Sequence, residues 1–428
     1  MINSTVLVYI VLNLVIRRIR VSLDIKLSDD VKFIIKTLME KGHEAYIVGG
    51  CVRDSILKRK INDWDMTTSA EPEKVVELFD KVILTGIKHG TVTVVLNNNH
   101  YEITTFRNDG EYDDNRHPIK VKYVKTLRED LARRDFTINA MAYNEECGLQ
   151  DYFGGISDLN NKIIRTVGNP VLRFNEDALR MLRAVRFSAQ LGFEIDNSTF
   201  KAIKEVSHNI ESISKERIRD ELNKIILSDA VKFETLRSSN LADYIIPELN
   251  KISYNRLLQI NSVRKTIHLR LAILLMDLGE NSAITILKRF KYDNNTIKNV
   301  SLLIKHKNYD LNDIINIKKL LNIIGENLVY DLIDIKKSEI IFHADHKKDC
   351  KLNLLSKSRE NISDIIKNNE CYSLKQMKID GRDLIELGYV KGKKIGEVLS
   401  YLLDIVIQSP ELNNKKRLTE IAKEMIGK

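Results

Sequence analysis

The sequence predicts an α+β protein in which a mixed α/β head precedes a long all-helical remainder. Four strand-like runs, residues 45–48, 63–68, 91–96 and 101–106, are rich in β-branched and aromatic side chains and all precede residue 164. Past that point strand signals nearly vanish. Leu, Ile, Lys and Glu recur there at helical spacing, punctuated only by Pro170, Pro247 and Pro410. At 428 residues the chain exceeds what one hydrophobic core usually supports, so several structural units are expected.

The chain begins with an apolar run, residues 6–16, broken by Asn13 and followed by Arg17, Arg18 and Arg20. It is too short to span a bilayer, and its charges follow the run where a secretory signal carries them in front. Residues 1–23 are therefore expected to form an appended, weakly ordered leader; a membrane-surface anchor is the competing reading. No other stretch is long and apolar enough to cross a membrane, and no membrane association is expected. The net charge of +9 favours a polyanionic partner held by Lys and Arg. Cys51, Cys147, Cys350 and Cys371 are scattered without a CxxC pair, which gives no support to a disulfide framework or zinc cluster and fits a reducing cytosol.

The strand at 45–48 runs into Gly49 and Gly50 and then a helix with Arg53 in its first turn. Missing side chains let backbone amides approach a ligand, and the helix start favours negative charge, so Arg53 is placed to reach an anion such as a triphosphate. A plain tight turn is the alternative. Residues 61–69, INDWDMTTS, come next. In an extended strand Asp63 and Asp65 project to one side, about 6 to 7 Å apart, with Trp64 and Met66 on the other. Paired carboxylates beside an amide-rich turn suit oxygen ligation of Mg²⁺ and metal-assisted nucleotidyl transfer. A lone D-x-D is more often a solvated strand edge; the neighbouring glycine turn and Arg53 shift the balance to a site.

Residues 91–96 and 101–106 read as a hairpin joined by residues 97–100. Alternation places Glu102 on the face opposite Tyr101 and Ile103, either as a third acid that shapes the site or accepts a proton, or as an exposed sheet residue. Lys88 and His89 precede the hairpin, where His89 is equally suited to a turn.

These motifs, GGCVRD, D-W-D, HGTVTVV and YEITTFR, then RRDFTINAMAYN and EDALRMLRAVRFSAQLGF, resemble in order and spacing the class II tRNA nucleotidyltransferases, the CCA-adding enzymes of the tRNA nucleotidyltransferase/poly(A) polymerase family. The resemblance is strong over about residues 45–227. It returns in IDGRDLIELGYVKGKKIG at 379–396 and is loose over 229–370. It implies a polymerase β-like nucleotidyltransferase head with a mixed β-sheet, followed by helical neck, body and tail. The expected divisions are 24–163 for the catalytic head, 164–230 for the neck that recognises the base, 231–340 for the body and 341–428 for the tail that binds tRNA. It further implies that Asp63 and Asp65 hold Mg²⁺, that Gly49, Gly50 and Arg53 meet the nucleotide triphosphate, and that Arg134 and Asp135 lie against ribose and phosphates. The implied partners are tRNA, CTP and ATP, in the cytoplasm, with no obligate protein partner.

Residues 176–190 read as one helix, so Asp177 and Arg180 fall about 60° apart on its surface. A carboxylate only accepts hydrogen bonds and a guanidinium only donates, so a base facing both must offer an amine beside an unprotonated ring nitrogen. Cytosine and adenine do. Guanine and uracil present a carbonyl and a protonated nitrogen, at roughly 1 to 3 kcal/mol per unpaired group, or on the order of a thousandfold for two. The family resemblance implies the same pair. It also implicates a head-domain loop in the switch to adenine, matched here by NDGEYDDNRHP at 108–118 with Arg116 as its foremost residue; an ordinary polar loop is the alternative. Arg183 and Arg186 continue the three-residue spacing, either toward the nucleotide or in neck salt bridges. Arg186 lands beside the apolar stripe of Leu179, Leu182 and Val185, where it needs an anionic or aromatic partner. Arg217 is expected to brace this helix.

The segment RLAILLMDLG at 270–279 resembles the helix of a metal phosphohydrolase but carries Met276 where that site needs His before Asp277, which argues against a second, phosphatase activity. The expected activity is template-independent addition of CCA to the 3′ end of tRNA. Poly(A) synthesis, partial addition, and a non-catalytic RNA-binding protein are the competing readings.

Overall fold

Strand β1 (Ala45–Val48) is buried along its whole length, as its sequence AYIV requires, and the head is assembled on it. A computed structural model of the chain describes residues 25–84, 86–109, 121–342 and 347–426; the expected leader over 1–23 and Arg116 lie outside them. The chain forms two compact units. One comprises the chain up to Glu221 with Thr235–Pro247, the other Leu222–Glu234 with Glu248–Lys428.

In the first unit, helix α1 (Asp29–Glu40) starts at Ser28, whose hydroxyl accepts from the Val31 amide, and buries Val31, Ile34, Ile35 and Leu38 as one stripe. After β1 come α2 (Gly50–Ile56), β2 (Asp65–Thr68), α3 (Pro72–Leu78), β3 (Val82–Ile83), β4 (Thr91–Leu96) and β5 (Asn99–Thr105). A two-stranded ribbon, β6 (Arg107–Asp109) with β7 (Val121–Tyr123), leads to α4 (Leu127–Ala132), β8 (Met141–Asn144), β9 (Gly148–Asp151) and α5 (Gly155–Asn161). The seven-stranded sheet has the order β3-β4-β5-β2-β1-β8-β9. All its pairs are antiparallel except β2 with β5. The mixed sheet expected of the head is therefore present, and its one parallel pair sets Asp65 level with Glu102.

The chain continues with β10 (Ile163–Ile164), α6 (Pro170–Glu176), α7 (Leu179–Leu191), β11 (Glu194–Ile195, parallel to β10), α8 (Asn197–Val206) and α9 (Lys215–Ser228). Three boundaries differ from expectation. The hairpin turn is Asn97-Asn98 alone, both at positive φ (50° and 64°), so Asn99 and His100 belong to β5 and Leu96 faces Asn99. Strand β2 begins at Asp65, leaving Asp63 on the approach to the strand. The single helix expected over 176–190 is two, because Asp177 is extended at φ −144°, ψ 103°.

The second unit is helical throughout its described residues. Its longest helix, Ile314–Phe342, bends at Gly325, where φ is 80°. Near the C-terminus Leu384, Leu402, Val406, Leu418 and Ala422 form a fully buried cluster. In the RLAILLMDLG segment Met276 is buried and Asp277 pairs with Arg256 at 2.6 Å. No helix among the described residues is long and apolar enough to cross a membrane.

Helix α5 presses on the turn Thr137–Asn139, which carries part of the site. A Cβ at Gly155 would stand 2.4 Å from the Thr137 carbonyl oxygen and 2.8 Å from Met141 Cγ. Gly155→Ala is therefore expected to destabilise the head by roughly 1 to 3 kcal/mol, the usual cost of overpacking, read as a lower urea midpoint. An unchanged midpoint would show that α5 shifts freely.

Candidate active site

Gly49 turns β1 into α2 with φ 81° and ψ −125°, and its amide donates to the Met141 carbonyl at 3.1 Å. Any side chain here would be strained, and a Cβ would lie 2.8 Å from Arg134 Nη1. The glycine thus lets the backbone approach a guanidinium. Arg53, from α2, is buried; its Nε and Nη2 donate to Asp54, and Nη1 donates to Asn139 Oδ1 at 2.6 Å. Asn139 passes the contact on, donating from Nδ2 to Asp135 Oδ1 at 3.1 Å.

Asp65 stands at the start of β2 in register with Glu102 of β5, and Asp63 precedes it by two residues. Both aspartates and Glu102 are exposed. Crowding around Asp65 nevertheless pushes its carboxyl up; the Arg134 charge pulls the other way, and Asp63 adds a smaller upward push. Cys51, beneath this strand, has a thiol raised to about 11 by burial and is inert at neutral pH. Among the described residues no three or more His, Cys, Asp and Glu side chains gather into a metal-holding group. Two carboxylates with further oxygens from a substrate suit Mg²⁺, whereas an all-protein cage does not form here.

The RRDF segment supplies the cations. Arg134 is half-buried, lies 3.7 Å from Asp130, and has a guanidinium destabilised chiefly by desolvation; its Nε is enclosed and has no hydrogen-bond partner. With Nη1 against the glycine turn and Nε unsatisfied behind it, this guanidinium fits an anionic guest. Asp135 accepts from the Phe136 amide, from Asn139 and from Arg183 Nε at 2.8 Å. Burial pushes its carboxyl up, but Arg183 and these donors prevail and hold it at about 2.

On the neck, Asp177 caps α7: Oδ1 accepts from the Leu179 amide and Oδ2 from Arg217 Nη2, each at 3.0 Å. Arg217 thus braces the start of α7, as expected. Arg180, in the first turn of α7, donates to Glu176 at 2.6 Å and to the carbonyls of Arg173 and Arg133. Asp177 and Arg180 are brought together across a helix start, with the Arg180 amide donating to the Asp177 carbonyl at 3.0 Å, and the helical-face geometry expected for them does not hold. Asp is a strong N-cap former, which explains the break.

Arg186 has both partners that its apolar setting demanded. It pairs with Glu221 at 2.6 Å and stacks 4.0 Å over the Phe187 ring, and desolvation lowers it to about 10. Phe187 also faces Arg53 at 5.1 Å and Arg183 at 5.5 Å, while its edge meets Phe136. Three residues escaped the sequence reading: Asp130, Phe187 and Glu221. Asp130 was findable, since it precedes Arg133 and Arg134 at the three- and four-residue spacing of helical ion pairs.

The Asp135 carboxyl lies below its ordinary 3.8, so its contribution is complete above about pH 4 and fades as pH falls toward 2. Asp135→Asn should cost about 2 to 3 kcal/mol at pH 7. In urea unfolding the gap from wild type should shrink by more than half by pH 2.5. A gap that stays constant from pH 7 to 2.5 would contradict the assignment.

Three family models match in order: the poly(A) polymerase head domain over residues 45–165, the RNA- and SrmB-binding site of polymerase A over 192–252, and tRNA nucleotidyltransferase domain 2 over 264–422. The chain is 38% identical over 406 residues to a CCA-adding enzyme of Ligilactobacillus salivarius, covering 92% of this chain and 95% of that one. It is 36% identical over 404 residues to a CCA-adding enzyme of Staphylococcus epidermidis, covering 92% and 97%. Among solved structures, the Bacillus stearothermophilus CCA-adding enzyme in complex with CTP matches with TM-score 0.78 and 30% identity, covering 92% of this chain and 96% of that one. The fold, the matched domains and the relatives agree: this chain belongs to the family of CCA-adding enzymes.

Proposed function

We propose that this protein adds CCA to the 3′ end of tRNA without a nucleic-acid template, using CTP and ATP and releasing pyrophosphate. The observation that carries the reading is the placement of Asp65 level with Glu102, with Asp63 just ahead, and the half-buried, incompletely bonded Arg134 against the Gly49 turn. Nucleotidyltransferases of this family use a divalent metal. Within this reading it is Mg²⁺, held by Asp63 and Asp65, where it would lower the pKa of the attacking hydroxyl and neutralise charge on the phosphates. The rest is done by side chains. Arg134, beside the amides of Gly49 and Gly50, takes phosphate oxygens, and Arg53 backs that turn. Glu102 lies level with Asp65 and takes the proton of the tRNA 3′-hydroxyl. Asp135 holds Arg183, and with it α7, against the site.

Base choice falls to Asp177 and Arg180, now read as a cap and a first-turn residue. Arg180 Nε has no hydrogen-bond partner among the described residues, and a carboxylate with two donors can accept more. An acceptor beside a donor admits cytosine and adenine. Arg183 and Arg186 support the nucleotide pocket from their ion pairs. The divisions into leader (1–23), head (24–163), neck (164–230), body (231–340) and tail (341–428) belong to the same reading. So do tRNA binding by the tail through phosphate contacts, a role for Arg116 in the switch to adenine, and residence in the cytoplasm.

The test is incubation of tRNA trimmed to its discriminator base with labelled CTP and ATP, singly and together. Addition of C, C and A in order is expected; a long A run without C would overturn the reading. Asp63→Ala and Asp65→Ala should each lower incorporation roughly a hundredfold or more, and undiminished turnover would remove them from the chemistry. Asp177→Ala combined with Arg180→Ala should admit UTP or GTP about tenfold or more better. Unaltered rejection of both nucleotides would move base selection elsewhere.

A further inference from the structure

Among the described residues Asp130 is a carboxylate of the head with no exposed surface, and it meets the expected nucleotide only through Arg134. Its contacts reach three separate parts of the site. Oδ1 accepts from Arg133 Nε at 3.0 Å and Nη2 at 2.9 Å, and from the Arg107 amide at 3.3 Å. Oδ2 accepts from Thr67 Oγ1 at 3.2 Å and lies 3.7 Å from Arg134 Nη2. Thr67 is two residues past Asp65 on β2, so its side chain shares the face of Asp65. Arg107 is the first residue of β6, directly after the strand that carries Glu102.

A buried carboxylate is tolerated only when paired, and this one is: burial raises it, but Arg133 and Arg134 outweigh burial and hold it ionised. The reverse dependence matters more. Arg133 is tied to Asp130, whereas Arg134, half-buried beside Gly49, has Asp130 as its nearest carboxylate and an enclosed, unbonded Nε. With Asp130 neutral, Arg134 would be a partly desolvated cation lacking its main counter-charge and would move toward solvent or toward Asp65.

We infer that Asp130 is a positioning residue for nucleotide binding: it fixes the aim of Arg134 at the glycine turn and locks that aim to strand β2 through Thr67. The inference rests on the proposed nucleotidyl transfer and extends it to a residue that meets no substrate. It separates two effects. Loss of folded protein lowers kcat per mole of chain and leaves KM of the remaining enzyme unchanged, whereas loss of Arg134 alignment raises KM for the triphosphate.

The test measures KM for CTP and for ATP, and separately KM for tRNA, in wild type, Asp130→Asn and Asp130→Glu. Asp130→Asn is expected to raise both nucleotide KM values about tenfold, the worth of one hydrogen bond to a charged group, with KM for tRNA within twofold. Asp130→Glu, which keeps the charge, should recover part of the loss. If Asp130→Asn does not fold, Thr67→Val is read by the same criterion, with a smaller rise expected, since the Thr67 hydroxyl divides one proton between Asp130 and the Thr104 carbonyl. Nucleotide KM values within twofold of wild type, with only kcat reduced, would overturn the inference. Wild-type enzyme that incorporates no nucleotide at all would instead overturn the proposed function, and the two failures are distinct.

Discussion

The buried carboxylate of Asp135 is the constraint on which the site depends. It sits where the head ends and the neck begins to pack, and it accepts from Asn139 on one side and Arg183 on the other. Asn139 in turn holds Arg53, so one acid links the glycine helix, the RRDF turn and the neck helix in a continuous run of hydrogen bonds. A buried charge cannot be left half-satisfied without a large penalty, which makes the arrangement nearly all-or-none. The aromatic pair follows from the same geometry: Phe136, next to Asp135, meets the edge of Phe187, next to Arg186, and three guanidiniums gather around the Phe187 ring.

Much of the head was legible because its strands obey simple rules. Strand β1 matched its four-residue apolar run and β4 its β-branched one. The Asn-Asn turn was read as too long by two residues, although adjacent asparagines at positive φ are a standard means of closing a hairpin in two. Strands β3, β10 and β11 are two residues each, below what alternation can reveal. The short run MAYN of β8, which lacks β-branched residues, is strand only because β1 and β9 flank it.

The candidate acids were legible by spacing, but the partners of the site's charges were not, because pairing is a tertiary property. That Arg186 needed an anion or a ring followed from its place beside Leu182 and Val185; that the anion would be Glu221, thirty-five positions on, did not. The helix expected over 176–190 failed on a local rule. An aspartate followed two residues later by an amide it caps ends one helix and starts another, and Asp177 does so with Leu179. The correction changes how base selection is argued, since cap and first turn are set by Arg217 and Glu176 and not by helical periodicity.

The charges of the site are mostly balanced before any nucleotide arrives. Arg53 has Asp54, Arg183 has Asp135, Arg186 has Glu221 and Arg180 has Glu176. A pocket built this way avoids the self-repulsion of bare arginines and keeps each guanidinium aimed, which is the pre-organisation that electrostatic catalysis requires. Four balanced arginines offer a triphosphate little net attraction, however, so the pull must come from elsewhere. Arg134 supplies it: desolvated, with a carboxylate only at 3.7 Å and a buried nitrogen that bonds nothing, it is poorly satisfied without an anion in front of the glycine turn. Asp65 is its opposite, an exposed carboxylate pushed up by the crowding around it and slightly by Asp63, and better satisfied with a cation. A metal-bound triphosphate brings an anion to the first and a cation to the second, so the two strained charges of the empty site are relieved by one ligand.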